Sequence, residues 1–212
     1  MRLLLCDIGN SFAHFYKDKK VYKEEINDAL EKYKELKLFY ICVNSAAQKR
    51  VKNYKNWVDI SPYVDIDTDY KGMGIDRKVL CKEVYDGVAI DAGSAITVDV
   101  MQKGRHLGGF IMPGFRAVRS AFASISPVLD VEFDFSVDID VLPQNTKDAL
   151  SFAALKSVIL MIKDTAGSRR LFFTGGDGRV LSSFFQNAVY DEALIFKGMM
   201  KIIEENRLAK EI

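Results

Sequence analysis

The chain has 212 residues, of which 49% are hydrophobic and 28% charged, and its formal net charge is +1. This is the composition of an ordinary soluble globular protein, long enough for one large domain or two small ones, and its near-neutral balance leaves no electrostatic footprint for nucleic acid or a membrane surface. No apolar run nears the ~20 residues of a membrane span, and MRLLLCD lacks a signal-peptide core. The three cysteines, Cys6, Cys42 and Cys81, show no C-x-x-C spacing, so reduced thiols in a cytoplasmic protein are expected.

Residues 3–6 are continuously apolar and predict a strand covered on both faces. Residues 12–16 form the next strand, Asp18-Lys19-Lys20 reverses the chain, and residues 21–25 form a third. Asn27 predicts an N-cap for a helix over 28–37, with Ala29, Leu30, Tyr33 and Leu36 on its inner stripe. An apolar strand over 38–43 precedes a basic helix over 46–57, whose Lys49, Arg50, Lys52 and Lys55 read as a solvated face. The second half restarts with strands over 87–90, 95–101 and 106–112, a helix over 115–124 and a long helix over 146–164. A short strand over 170–174 and helices over 179–187 and 195–209 complete an α/β or α+β pattern with mixed sheets.

The two halves share a recipe. LLLCDIGNSFAHFYKDK set above GVAIDAGSAITVDVMQK puts Asp7 on Asp91, Gly9 on Gly93, Asn10 on Ser94 and Lys19 on Lys103. Each copy reads strand, Asp-x-Gly-small polar, strand, polar turn, strand. Two such hairpins predict two similar domains, residues 1–84 and 85–212, facing each other across a cleft. A glycine-tipped turn lets backbone N–H groups approach phosphate oxygens, and a flanking carboxylate can hold a cation that bridges to them. One copy alone reads better as a turn whose Asp accepts local N–H bonds; the repetition favours phosphate binding.

Other segments are compatible with chemistry. Asp76, in Lys71-Gly-Met-Gly-Ile-Asp-Arg-Lys78, precedes the helical residues 79–85. It reads as that helix's N-cap and as a general base beside an arginine able to clamp a carboxylate, two roles that do not exclude each other. Thr174 to Gly178 is either an adenosine bed or a plain strand-to-helix loop, and Asn145 predicts a cap beside Thr146. Two histidines cannot build a histidine metal cluster. No Gly-x-x-x-x-Gly-Lys loop occurs, which excludes a P-loop kinase.

In order, Asp7-Ile-Gly-Asn-Ser11, Gly74-Ile-Asp-Arg77, Asp91-Ala-Gly-Ser-Ala-Ile-Thr97, Gly108-Gly-Phe-Ile-Met-Pro-Gly114 and Asn145-Thr146 resemble the type III pantothenate kinases over nearly the whole chain. The resemblance implies two ribonuclease-H-like (actin-like ATPase) domains, mixed sheets flanked by helices, and ATP in the cleft between them. It implies ATP binding by Asp7, Ile8, Gly9, Asn10, Ser11, Phe12, Ala13, His14 and Ser94, with Asp7 organising Mg²⁺, and a monovalent cation, potassium or ammonium, on Asp91. Pantothenate would meet Tyr70, Gly74, Ile75, Asp76, Arg77 and Thr146, with Asp76 as proton acceptor, in a homodimer. The family usually has threonine where Ser11 and Ser94 stand, and its substrate tyrosine lies farther ahead of Gly-x-Asp-Arg than Tyr70 does. Two alternatives keep the fold: a kinase of another small hydroxylated acceptor, and a non-catalytic ATP-binding regulator.

Overall fold

The computed structural model describes residues 3–211. The chain divides into two compact units: Met1–Tyr85 with Met101–Gly108 and Asp191–Ile212, and Asp86–Val100 with Gly109–Tyr190.

The first unit opens with an antiparallel meander of β1 (Leu5–Ile8), β2 (Phe12–Lys17) and β3 (Lys20–Glu25). β2 and β3 are joined at Asp18 (φ 51°) and Lys19 (φ 64°), two successive left-handed residues. Their twist matches that of the flanking strands. α1 (Ile26–Tyr33) leads to β4 (Leu38–Cys42), which pairs parallel with β1 and is buried at every position. α2 (Ser45–Val51) then leads to β5 (Trp57–Asp59), parallel to β4, giving the order β3-β2-β1-β4-β5. Cys6, Ile8, Ala13, Phe15, Leu30, Tyr40 and Trp57 belong to one core cluster, so the alternation of β1 turns Asp7 to the opposite face.

The same unit contains β6 (Asp67–Thr68) and α3 (Ile75–Glu83). α3 packs against the last helix, α7 (Leu194–Glu205), at contact distance: a Cβ on Gly198 would lie 2.1 Å from the Val79 carbonyl oxygen. Lys201 Nζ donates to the Lys82 carbonyl at 3.2 Å, and Lys82 pairs with Glu205 at 2.8 Å across the same helices.

The second unit repeats the plan. β7 (Gly87–Ala92), β8 (Ala95–Gln102) and β9 (Arg105–Pro113) precede β10 (Leu171–Thr174) and β11 (Ala188–Tyr190), ordered β11-β10-β7-β8-β9. The β8–β9 turn repeats the left-handed pair at Lys103 (φ 49°) and Gly104 (φ 85°). Its tip lies in the first unit, where Arg105 and His106 pair with β6. One face of the second sheet presents Val88, Ile90, Ala92, Ile96, Val98 and Val100 to a core shared with Leu155, Val158, Ile159 and Ile162. Those four line α5 (Thr146–Ala166), at helical spacing. α4 (Phe115–Ile125) and the short α6 (Gly178–Ser182) complete the unit.

Four sequence expectations change. Asn27 does not cap α1, which starts one residue earlier; its Oδ1 instead accepts from Arg50 Nη1 at 2.8 Å. The helix expected over 46–57 stops at Val51, and Trp57 begins β5. The helix expected over 179–187 stops at Ser182. The N-cap position of α3 is Gly74, with Asp76 two positions further on, where its carboxylate accepts from the first-turn N–H of Arg77. Asn145 does cap α5, accepting from the Asp148 N–H at 2.9 Å.

Candidate active site

The first turn is built by β1 and β2. Asp7 is half-buried and registers opposite His14 on one side and Ile41 on the other; Ile8 registers opposite Ala13 and Cys42. The Gly9 N–H donates to the Phe12 carbonyl at 3.0 Å and closes the loop over Asn10 and Ser11. Asn44, which sequence reasoning passed over, secures it. Its Oδ1 accepts from the N–H groups of Ala46 and Ala47, capping α2, while its Nδ2 donates to the Asn10 carbonyl at 3.3 Å. The Lys23 ammonium lies 3.7 Å over the Phe12 ring. Burial first, and Lys23 second, hold His14 below the ordinary imidazole value, which favours the neutral ring. Cys6 precedes Asp7 on β1, and Cys42 lies on the neighbouring β4. Burial pushes the Cys6 thiol well up, with Asp7 adding to it, and pushes Cys42 up to about 11. Both thiols stay protonated and inert near neutrality.

Tyr70, Gly74, Ile75, Asp76 and Arg77 also lie in the first unit. Asp76 is half-buried in the first turn of α3, where the helix's positive end favours a carboxylate, and its Oδ1 accepts from the Arg77 N–H at 2.8 Å. Arg77 is only 4% exposed. Its guanidinium carbon sits 4.8 Å over the Tyr70 ring, and Nη1 donates to the Tyr70 hydroxyl at 3.4 Å. Tyr70 and Arg77 are therefore brought together despite their short sequence spacing. Two residues that sequence reasoning did not single out adjoin them: Thr68 Oγ1 is 2.7 Å from His106 Nδ1, and the His106 and Tyr70 rings are 5.9 Å apart.

Asp91, Ser94 and Thr146 lie in the second unit. Asp91, next to last in β7, lies on the face opposite the core and registers directly beside Thr174 of β10. Gly175 follows at φ 84°, and a Cβ there would lie 2.4 Å from Asp91 Oδ1 and 2.5 Å from the Ala92 carbonyl oxygen. Only glycine fits that backbone and that approach. The Asp177 N–H donates to the Ala92 carbonyl at 2.9 Å, and the Gly114 N–H to the Ser94 carbonyl at 3.1 Å. The 174–178 loop and the Gly108-to-Gly114 segment thus both lock the turn that carries Asp91 and Ser94. Thr97 shares the polar face of this sheet, its Oγ1 buried without a hydrogen-bond partner. Thr146 is exposed as the first residue of α5.

The family model of the type III pantothenate kinases matches residues 42–167. The relatives extend that match to the rest of the chain. A type III pantothenate kinase of Wolinella succinogenes is 48% identical over 98% of this chain and 100% of its own length. The chain belongs to the type III pantothenate kinase family. A type III pantothenate kinase of Helicobacter hepaticus is also 48% identical, over 96% of this chain and 99% of that relative. Among solved structures, a Campylobacter jejuni protein assigned to the Baf family of transcriptional activators superposes with a TM-score of 0.89 at 47% identity, covering 97% of this chain and 99% of that one. The activator of 2-hydroxyisocaproyl-CoA dehydratase from Clostridium difficile, solved with bound ADPNP, gives a TM-score of 0.57 at 13% identity, with 100% and 98% covered. That likeness is one of fold alone. The fold is of the actin-like ATPase type, with two mixed sheets flanked by helices. Among the described residues, no helix is long and apolar enough to cross a membrane.

Proposed function

We propose that this protein transfers the γ-phosphoryl group of ATP to the primary hydroxyl of pantothenate, forming 4'-phosphopantothenate, the first step of coenzyme A biosynthesis. The observation that carries this reading is the full-length similarity to type III pantothenate kinases. Phosphoryl transfer asks a protein mainly for positioning and charge compensation. Asp76, held in the first turn of α3 by the Arg77 N–H, accepts the proton that the acceptor hydroxyl loses as the new P–O bond forms. Arg77, Tyr70, Gly74, Ile75 and Thr146 bind and orient pantothenate. The turn from Asp7 to His14, with Ser94, binds the phosphates of ATP.

The donor sets fit the cations that the family implies. Asp7 offers hard carboxylate oxygens at the end of β1, suited to Mg²⁺ that arrives with ATP. At Asp91, a carboxylate oxygen and the Ala92 carbonyl oxygen both lie against Gly175, a donor pair of the type potassium or ammonium takes. These cations supply positive charge that offsets the phosphates. The protein acts as a homodimer in the cytoplasm.

A coupled assay of ADP release from ATP and pantothenate, with and without potassium, tests the proposal. Turnover that requires pantothenate and rises with potassium is expected. The activator description of the Campylobacter jejuni neighbour favours one rival, a regulator that binds ATP without turnover. Stoichiometric ATP binding with no ADP release would establish that rival, and ADP release only with another hydroxylated acceptor would change the substrate.

A further inference from the structure

Tyr70 is 37% exposed, yet it is held at three points. Its backbone N–H donates to Thr68 Oγ1 at 3.0 Å. Its ring lies beside His106, a residue 2% exposed that shares a 2.7 Å hydrogen bond with the same Thr68 oxygen. Its hydroxyl meets Arg77 Nη1. The base of this arrangement is itself anchored. Thr68 registers directly opposite His106 where β6 pairs with β9, and Arg105 pairs with Asp67 at 3.3 Å and Asp69 at 2.6 Å on either side of Thr68. A surface tyrosine with one free face normally samples several rotamers; this one has a backbone tether, a ring neighbour and a guanidinium stacked on it.

The 3.4 Å Arg77–Tyr70 bond is longer than a good N–H···O bond, whereas a carboxylate binds a guanidinium at about 2.7–2.9 Å. An anionic oxygen arriving at Nη1 therefore gains a strong bond in place of a weak one. The Tyr70 hydroxyl, relieved of accepting, can turn its proton to the same oxygen. Resting on the pantothenate reading, the geometry points to Thr68 and His106 as positioning residues for the acceptor's carboxylate: they fix Tyr70 so that its hydroxyl and Arg77 Nη1 converge on one carboxylate oxygen. Neither residue touches the acceptor.

The test is steady-state kinetics on the full-length protein for Thr68→Val, Thr68→Ser, His106→Phe, Tyr70→Phe and the Thr68→Val/Tyr70→Phe double variant. Losing the tether should raise KM for pantothenate about tenfold, with KM for ATP and kcat within about twofold of wild type. Thr68→Ser, which keeps the hydroxyl, should restore wild-type KM. Because Thr68 acts through the Tyr70 hydroxyl, the double variant should be no worse than Tyr70→Phe alone. Unchanged pantothenate KM in Thr68→Val or His106→Phe overturns the inference, as do additive effects in the double variant. A parallel fall in kcat, both KM values and melting temperature also overturns it, by making Thr68 merely structural. Wild-type protein that does not turn over pantothenate removes the function reading and this inference together, whereas normal wild-type turnover beside normal variants removes only this one.

Discussion

Gly198→Ala probes the contact of α3 with α7 in the first unit and its link to the site. The added methyl would lie 2.1 Å from the Val79 carbonyl oxygen, 3.0 Å from its carbon and 3.1 Å from its Cγ1. The obstacle is backbone, so α3 and α7 must separate by about 1 Å to reach ordinary contact. Such overpacking costs about 3 kcal/mol, against which alanine regains about 1 kcal/mol of helix propensity. The net loss of about 2 kcal/mol corresponds to a fall of about 4–8 °C in Tm for a chain of this size. The same displacement moves the start of α3, where Asp76 and Arg77 sit, and a shift of ~1 Å at reacting groups can cost about 100-fold in rate. Calorimetry and the coupled assay on one preparation read both effects. Gly176→Ala, where a Cβ meets nothing within 4 Å, serves as the stability control. If Gly198→Ala melts with wild type and keeps full activity, the helices do not approach as described and the reasoning fails.

Asp76→Asn should lower kcat by about 10²–10⁴-fold with ATP affinity nearly intact; wild-type turnover in that variant would remove Asp76 as the base. His14 is held below its ordinary value by burial and then Lys23, so the unfolded chain takes up its proton first, at about pH 6.5. Its stabilising contribution is therefore present above that value and lost as pH falls through the lowered folded value, and His14→Gln should flatten the decline in urea midpoint between pH 7 and pH 5. Lys19→Gly should raise stability by about 0.5–1 kcal/mol, because Lys19 occupies a left-handed turn position at φ 64°; urea denaturation at pH 7 reads it.

Much of the fold was legible because its signals are local. Leu38 to Cys42 is apolar at every position and buried at every position, and the repeated Asp-x-Gly turn announced two hairpins of one design. What escaped is set by distant partners. β5, β6 and β11 have two or three residues each, too few for periodicity to register, and exist because a longer neighbour offers a ladder. Asn27 has the chemistry of a cap, but the guanidinium of Arg50 claims its oxygen from 23 positions away. Asp76 was legible as a helix-start residue, and only the backbone showed that the N-cap position falls to Gly74 while Asp76 accepts from the Arg77 N–H in the first turn. Thr68 and His106 stand 38 positions apart in sequence, so nothing in either one's surroundings foretold their hydrogen bond.

The pairing of α3 with the terminal helix has a consequence for biogenesis. Leu194–Glu205 leaves the ribosome about 120 residues after Tyr85, a delay on the order of ten seconds at ordinary elongation rates. Throughout that interval the face of α3 around Val79 waits uncovered on the nascent chain. Premature termination before residue 194 would thus leave the amino-terminal half, although fully synthesised, with the apolar face of α3 bare and a reason to engage chaperones.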